Sequence, residues 1–225
     1  GIDNSVTVNS VAVTGNYVYA GTVQKGVWVS SNSGQNWGAS TLSSKTVQSI
    51  ALNGNDIFAG TSTNGIYLST NQGINWIQTA MNGGSITAIL INGNVIMAGT
   101  SNGVYRSSNY GQNWNLTNLS NKFVNGMAIS GNYVCAGTIQ GGVYISTDNG
   151  ISWTQTALND KIVFAVGISG NNILATVSGS GIWLSTNNGQ NWTQTSTVSN
   201  FRAITVSGNN VFAGALSSGI YLSTN

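Results

Sequence analysis

The stretch Ser49-Ile50-Ala51-Leu52-Asn53-Gly54-Asn55-Asp56-Ile57-Phe58-Ala59-Gly60-Thr61 decides the fold. Apolar residues alternate with small or polar ones on either side of a Gly-Asn pair, the signature of two strands joined by a tight turn. Gly and Asn adopt positive φ at least cost, as such a turn requires. A short Ser/Thr/Asn/Gly loop then leads to a third strand, Gly65-Ile66-Tyr67-Leu68-Ser69. A fourth starts at Trp76 and runs Ile77-Gln78-Thr79.

The same unit recurs along the chain, with its turn glycine at Gly15, Gly54, Gly93, Gly131, Gly170 and Gly208. The spacing is about 39 residues, and no stretch carries a sustained helical period. Four strands per repeat of this length predict an all-β fold, a six-bladed β-propeller of four-stranded blades. One domain is expected over residues 1–225, with repeats near 10–48, 49–87, 88–125, 126–164, 165–202, and 203–225 together with 1–9. From Gly208 through the chain ends to Gly15 the count falls about six or seven residues short of a repeat. The last fourth strand is therefore expected to be partial. Residues 1–7 are placed to close that blade beside residues 219–225, which would remove open sheet edges. The shortfall equally suits a part of a longer repeat protein.

The first strands define two sides. Val11 and Val13, Ile50 and Leu52, Ile89 and Ile91, Met127 and Ile129, Val166 and Ile168, and Ile204 and Val206 share one side and should pack between blades. The other side carries small residues such as Ser10, Ala12, Ser49, Ala51, Gly126 and Ala128, suited to a narrow channel, with Leu90 the bulky exception.

Five repeats continue into a second motif: Ser, then Asn or Asp two later, Gly four later and Trp seven later. It runs Ser30-Ser31-Asn32-Ser33-Gly34-Gln35-Asn36-Trp37, then Ser69 to Trp76, Ser107 to Trp114, Ser146 to Trp153 and Ser185 to Trp192. This resembles the Asp-box of the bacterial neuraminidase repeat, a motif of sialidases, xyloglucan-active glycosidases, sorting-receptor ectodomains and a photosystem assembly factor. The resemblance spans nearly the whole chain, but only Asp148 keeps the acid; the others are Asn32, Asn71, Asn109 and Asn187. The motif reads as a hairpin lock, in which the Asn or Asp oxygen accepts turn N–H groups and Trp covers the turn. In the family the box lies on the face away from the active site, so the resemblance implies a structural role.

Composition excludes much chemistry. Charged residues make up 4% of the chain and there is no His and no Pro, while the acids are Asp3, Asp56, Asp148 and Asp160, without a Glu. The resemblance to sialidases would imply an arginine cluster, a Tyr–Glu nucleophile pair and an acid, yet the arginines are Arg106 and Arg202 alone. A glycosidase of the usual kind needs two carboxyl groups about the scissile bond. Ser-His-Asp and Cys-His devices are unavailable without His. No cluster resembles a metal site, so neither an enzyme nor a metal or other cofactor is expected. The net charge of +2 is too small for a nucleic-acid footprint. No apolar run is long enough for a membrane-inserted helix. Cys135 stands where sister repeats have Phe58, Met97 and Phe212, and reads as a small buried hydrophobe.

What remains is binding. Loops from each fourth strand to the next first strand, with the second-to-third-strand loops, should form one face carrying nearly all the basic charge. Lys45, Lys122 and Lys161 share one repeat position there. Three residues on stand Asn9, Gln48, Thr87, Asn125, Phe164 and Arg202, expected to ring the channel mouth. Amides, a hydroxyl, an aromatic and a few cations suit a polar sugar or a peptide; the lysines could equally serve only to solubilise a nearly uncharged surface. The third-strand aromatics Trp28, Tyr67, Tyr105, Tyr144, Trp183 and Tyr221 are expected to pack between blades rather than to bind. The composition suits an extracellular or cell-surface setting. Two functions fit: a non-catalytic recognition module for a glycan or an extracellular protein, and a structural block of a larger extracellular repeat protein or assembly.

Overall fold

The structure is a computed structural model that describes residue 2, residues 5–198 and residues 200–224. All regular structure among these residues is strand, and there is no helix. Six antiparallel sheets follow one another along the chain, and Val8 and Asn9, expected with the last repeat, stand in the first. The first is β1 (Val8–Thr14), β2 (Tyr17–Thr22), β3 (Val27–Ser30) and β4 (Gly38–Ala39). The second is β5 (Val47–Asn53), β6 (Asp56–Thr61), β7 (Ile66–Ser69) and β8 (Ile77–Gln78). The third holds β9 (Ile86–Asn92), β10 (Val95–Thr100), β11 (Gly103–Ser107) and β12 (Asn115–Ser120). The fourth is β13 (Val124–Ser130), β14 (Tyr133–Thr138), β15 (Val143–Ser146) and β16 (Thr154–Gln155). The fifth is β17 (Val163–Ser169), β18 (Asn172–Val177), β19 (Gly181–Ser185) and β20 (Thr193–Ser196). The sixth has three strands, β21 (Phe201–Ser207), β22 (Asn210–Ala215) and β23 (Gly219–Ser223). Closure by residues 1–7 involves Gly1, Asp3, Asn4 and Asn225, which lie outside the described residues.

Two compact units divide the chain, one of residues 1–101 and 105–115, the other of residues 102–104 and 116–225. In each unit, one packing rule holds. The second and third strands of a sheet receive the first strand of the next. In the first unit Tyr19, Val27 and Leu42 of sheet 1 pack with Val47, Ile57 and Ala59 of sheet 2. Phe58 and Ile66 of sheet 2 pack in turn with Ile86, Ile89 and Ile96 of sheet 3. The second unit repeats this with Cys135 and Val143 against Val163 and Val166, and with Leu174 and Ile182 against Phe201 and Ala213. Each Val, Leu, Ile or Phe side chain among these, fully buried, contributes about 1.5–3 kcal/mol.

Close approach explains a glycine in the second strand. A Cβ at Gly21 would lie 2.7 Å from Val47 Cγ1, at Gly60 2.6 Å from Ile86 Cγ2, and at Gly137 2.5 Å from Val163 Cγ1. The arriving first strand touches bare backbone, so only glycine fits without displacement.

The first-strand packing expectation needs one correction. Ile50, Leu52, Ile168, Ile204 and Val206 do pack against neighbouring sheets, but Val11 and Val13 of β1 are exposed. Of the third-strand aromatics, Tyr67, Tyr105 and Trp183 pack at the core margins as expected, whereas Tyr221 is exposed, its ring meeting Phe201 of its own sheet; Cys135 is fully buried with its thiol pushed up by desolvation.

Candidate functional site

All six predicted mouth residues occupy one kind of place in the structure. Register shifts interrupt the first-strand pairing between Val8 and Ser10, between Val47 and Ser49, and opposite Gly99 and Thr100. They recur between Val124 and Gly126, Val163 and Ala165, and Phe201 and Ala203. The residues bulged out are therefore Asn9, Gln48, Thr87, Asn125, Phe164 and Arg202. A β-bulge adds one residue to one strand and re-aims its side chain, as sites built on sheets commonly exploit.

Most of these side chains reach into the next repeat or their own sheet. In the first unit Asn9 Nδ2 donates to Val47 O (3.1 Å), Gln48 Oε1 accepts from Ser85 Oγ (2.8 Å), and Thr87 Oγ1 donates to Gly99 O (2.9 Å). In the second unit Asn125 Nδ2 donates to Val163 O (3.1 Å). The Asn9 and Asn125 amides thus tie neighbouring first strands together, Gln48 reaches the residue before β9, and Thr87 bonds within its own sheet. The last pair differs. The Arg202 guanidinium carbon stands 3.7 Å from the centroid of the Phe164 ring, a cation–π stack. Arg202 is exposed and Phe164 half-buried, so the stack lies at the solvent-facing surface.

The lysines anchor loops through their backbones. Lys45 O accepts from Gly26 N (2.9 Å) and Lys161 O from Gly142 N (3.1 Å). Lys161 Nζ lies 3.4 Å from Asp160 Oδ2, an exposed pair worth little to stability. Lys122 precedes β13 and is half-buried.

Sequence reasoning passed over Phe123 and Ile162, each exposed one residue after Lys122 and Lys161. The signal was present: sister repeats have Thr7, Thr46, Ser85 and Asn200 at that position. Two of the three bulges of the second unit, Asn125 and Phe164, thus lie two residues after an exposed apolar side chain, where those of the first unit follow a hydroxyl.

The box motif is a lock, as its residues imply. In every copy the Ser Oγ accepts the Gly N–H, at 2.9 Å from Gly34 and 2.8 Å from Gly111. The Asn or Asp Oδ1 accepts the N–H four residues on, at 2.8 Å from Asn36 and 2.9 Å from Ser152. Trp37, Trp76, Trp114 and Trp192 donate Nε1–H to the box glycine carbonyl at 2.9–3.1 Å. Trp153 makes no such bond. The residue before the glycine is also left-handed (Ser33, Gln72, Tyr110, Asn149 and Asn188), a demand the sequence did not reveal.

The acids are held in structural contacts. Asp56 Oδ2 accepts from Tyr110 Oη at 2.7 Å, and Tyr110, raised first by burial and then by Asp56, stays protonated. Asp148 accepts from Ser152 Oγ and from the backbone of Ile151 and Ser152, which lowers its carboxyl to about 2. Asp160 pairs with Lys161. Asp3 lies outside the described residues.

A cleft of about 610 Å³ lies between the fifth and sixth sheets in the second unit, lined by Leu174, Ile182, Leu184, Phe201, Tyr221 and Leu222 among others. In sheet 2 the corresponding margin is filled by Trp76 of a box.

Comparison with known proteins fits this picture. Residues 144–155 match the family model described as BNR/Asp-box repeat. No curated protein matches the chain in sequence. Among solved structures, an ancestral GH74 enzyme is 23% identical with a TM-score of 0.84, over 96% of this chain and 36% of that one. YCF48 bound to D1 peptide is 18% identical (TM-score 0.79), over 99% of this chain and 80% of that one. The extracellular domain of BT4673 from B. thetaiotaomicron is 22% identical (TM-score 0.78), over 99% of this chain and 33% of that one. The chain thus spans about a third of two of these proteins and most of the third. At these identities the likeness is one of fold, and the chain is an all-β protein of the β-propeller fold that carries an Asp-box repeat.

Proposed function

We propose that the chain is a non-catalytic recognition module, extracellular or at a cell surface, that binds a glycan or a protein through the bulge face of its second unit. The observation that carries this is the exposed Arg202–Phe164 stack. Beside the lysines of the same face stand Phe123 and Ile162, exposed where a solubilising surface would carry hydroxyls. An exposed arginine backed by a ring can offer planar, bidentate hydrogen bonding to a carboxylate or to sugar hydroxyls. The engagement of Asp56, Asp148 and Asp160 in structural contacts supports binding without chemistry. A similar propeller, YCF48, has been seen bound to a peptide, and BT4673 is an extracellular domain. No helix among the described residues is long and apolar enough to cross a membrane.

The test is binding to glycan and acidic-peptide arrays at physiological salt, with Arg202→Ala and Phe164→Ala variants alongside. A selective signal that falls at least tenfold in both variants supports the reading. Binding indifferent to both substitutions, or a blank array, would sink it. A second reading, as a block in a larger assembly, is favoured by the exposed apolar faces of β1 and β23.

A further inference from the structure

The first unit holds a cleft of about 380 Å³ between the fourth strand of sheet 1 and the box turn of sheet 2. Tyr17, Val29, Gly38 and Ala39 line it from sheet 1, and Gln72 and Ile74 from sheet 2. All of it is built by residues 17–74, within one unit. Its sides are fixed to each other. Thr41 Oγ1 donates to Ile74 O at 2.7 Å, and a Cβ on the box glycine Gly73 would lie 3.0 Å from Val29 Cγ2.

The repeat does not require this opening. Where sheet 1 has Gly38-Ala39, other fourth strands carry Ile77-Gln78, Thr154-Gln155 and Thr193-Gln194. Gly38 has no positive φ, and a Cβ there would meet nothing within 4 Å, so neither backbone nor packing calls for glycine. A glycine in a strand without those reasons marks a place where something approaches closely. At the junction of sheets 2 and 3, Tyr110 stands at the repeat position of Gln72, and its hydroxyl donates to Asp56, at the position of Tyr17. At the junction of sheets 4 and 5, Thr156 is buried against the box glycine Gly189 where sheet 1 has Ser40. There the hydroxyl of Tyr133, the counterpart of Tyr17, is buried as well. Tyr17 is half-buried and Gln72 exposed, and among the described residues no hydrogen bond engages either side chain.

The lining names the chemistry of the occupant. It joins an aromatic ring, Val29 and the 63% exposed Ile74 to an amide and hydroxyls, with no charged side chain. The Tyr17 ring is held nearly parallel to that of buried Tyr19, with 11° between the planes. A fixed aromatic face suits the C–H side of a sugar ring, and amide and hydroxyl groups suit its O–H groups. The volume is enough for a short saccharide. A peptide added beside β4 would find only the two residues Gly38–Ala39 to pair with, a poor edge for strand addition.

We propose that this cleft binds a neutral saccharide, which stacks on Tyr17, hydrogen-bonds to Gln72 and lies over Gly38. The site is in the other unit from the Arg202–Phe164 stack and stands independently of it.

Saturation-transfer NMR titrations of the purified chain with cellobiose, maltose and lactose are the test. The discriminating variant is Gly38→Ile with Ala39→Gln, which gives sheet 1 the outer strand of sheet 2 at two exposed positions and should leave the melting temperature no lower. Binding of at least one disaccharide is expected, weakened at least tenfold in the double variant and in Tyr17→Ala, and retained in Tyr17→Phe and Arg202→Ala. Silence towards all three sugars, or equal binding by the double variant, would overturn the proposal. Loss in Arg202→Ala alone would put the sugar on the bulge face, ending this proposal and leaving the earlier one standing. If the sugars are silent and an uncharged Ser/Thr/Val peptide binds the parent but not the double variant, the occupant is a peptide and the proposal fails.

Discussion

Ile66 and Ile220 stand in the same seven-residue sequence, Gly-Ile-Tyr-Leu-Ser-Thr-Asn, yet one is wholly buried and the other 78% exposed. Both lie on third strands that pair antiparallel with a second strand in the same register, Gly60 opposite Ile66 and Gly214 opposite Ile220. Local sequence sets the strand, the pairing and the side to which each residue points. The neighbouring repeat sets the burial. Sheets 2 and 6 are thus one design in two surroundings, and stability should be distributed accordingly.

The largest expected effect contrasts their phenylalanines. Phe58→Ala should cost about 3–5 kcal/mol by urea unfolding, because it empties a closed core. Phe212→Ala in dilute protein should cost under about 1 kcal/mol. Equal losses would break the comparison and show that the sixth sheet is covered in solution. Next come the glycines. Gly60→Ala places a methyl against Ile86 and Ser49 and should destabilise by about 1–3 kcal/mol, while Gly214→Ala should be neutral or slightly stabilising. Box locks supply a smaller effect. Asn71→Ala removes the acceptor of the Asn75 N–H and should cost about 1 kcal/mol, measured by thermal melting.

The smallest effect is a pH dependence. Asp148 is lowered from an ordinary 3.8 to about 2, chiefly by the Ser152 hydroxyl and then by the Ser152 backbone N–H. A depressed folded-state value means that its stabilising contribution is complete above about pH 4 and fades as the pH falls towards 2. Asp148→Asn should flatten the melting temperature across that window, and an unchanged slope would show that the box does not hold the carboxylate.

Much of this was legible beforehand. The alternation about Gly54-Asn55 and its recurrence gave strand, turn and repeat, because period and turn chemistry are local properties. The box lock followed from Ser69, Asn71, Gly73 and Trp76 for the same reason. Exposure at Val11 and Val13 was not legible because their pattern matches Ile50 and Leu52, and a strand's own residues do not record what packs against it. The bulges explain why Asn9 to Arg202 fall at one repeat position, but whether each side chain is engaged or presented depends on the residue a repeat away. Phe123 and Ile162 were readable by comparing columns of the repeat rather than rows of the chain.

Four of the five box locks close on an amide oxygen, at Asn32, Asn71, Asn109 and Asn187. An amide does not titrate, and its hydrogen bond is not screened by salt as an ion pair is. Those four turns, which hold outer strands in place, are therefore indifferent to acid and to brine, and only the fifth, closed by Asp148, records the pH.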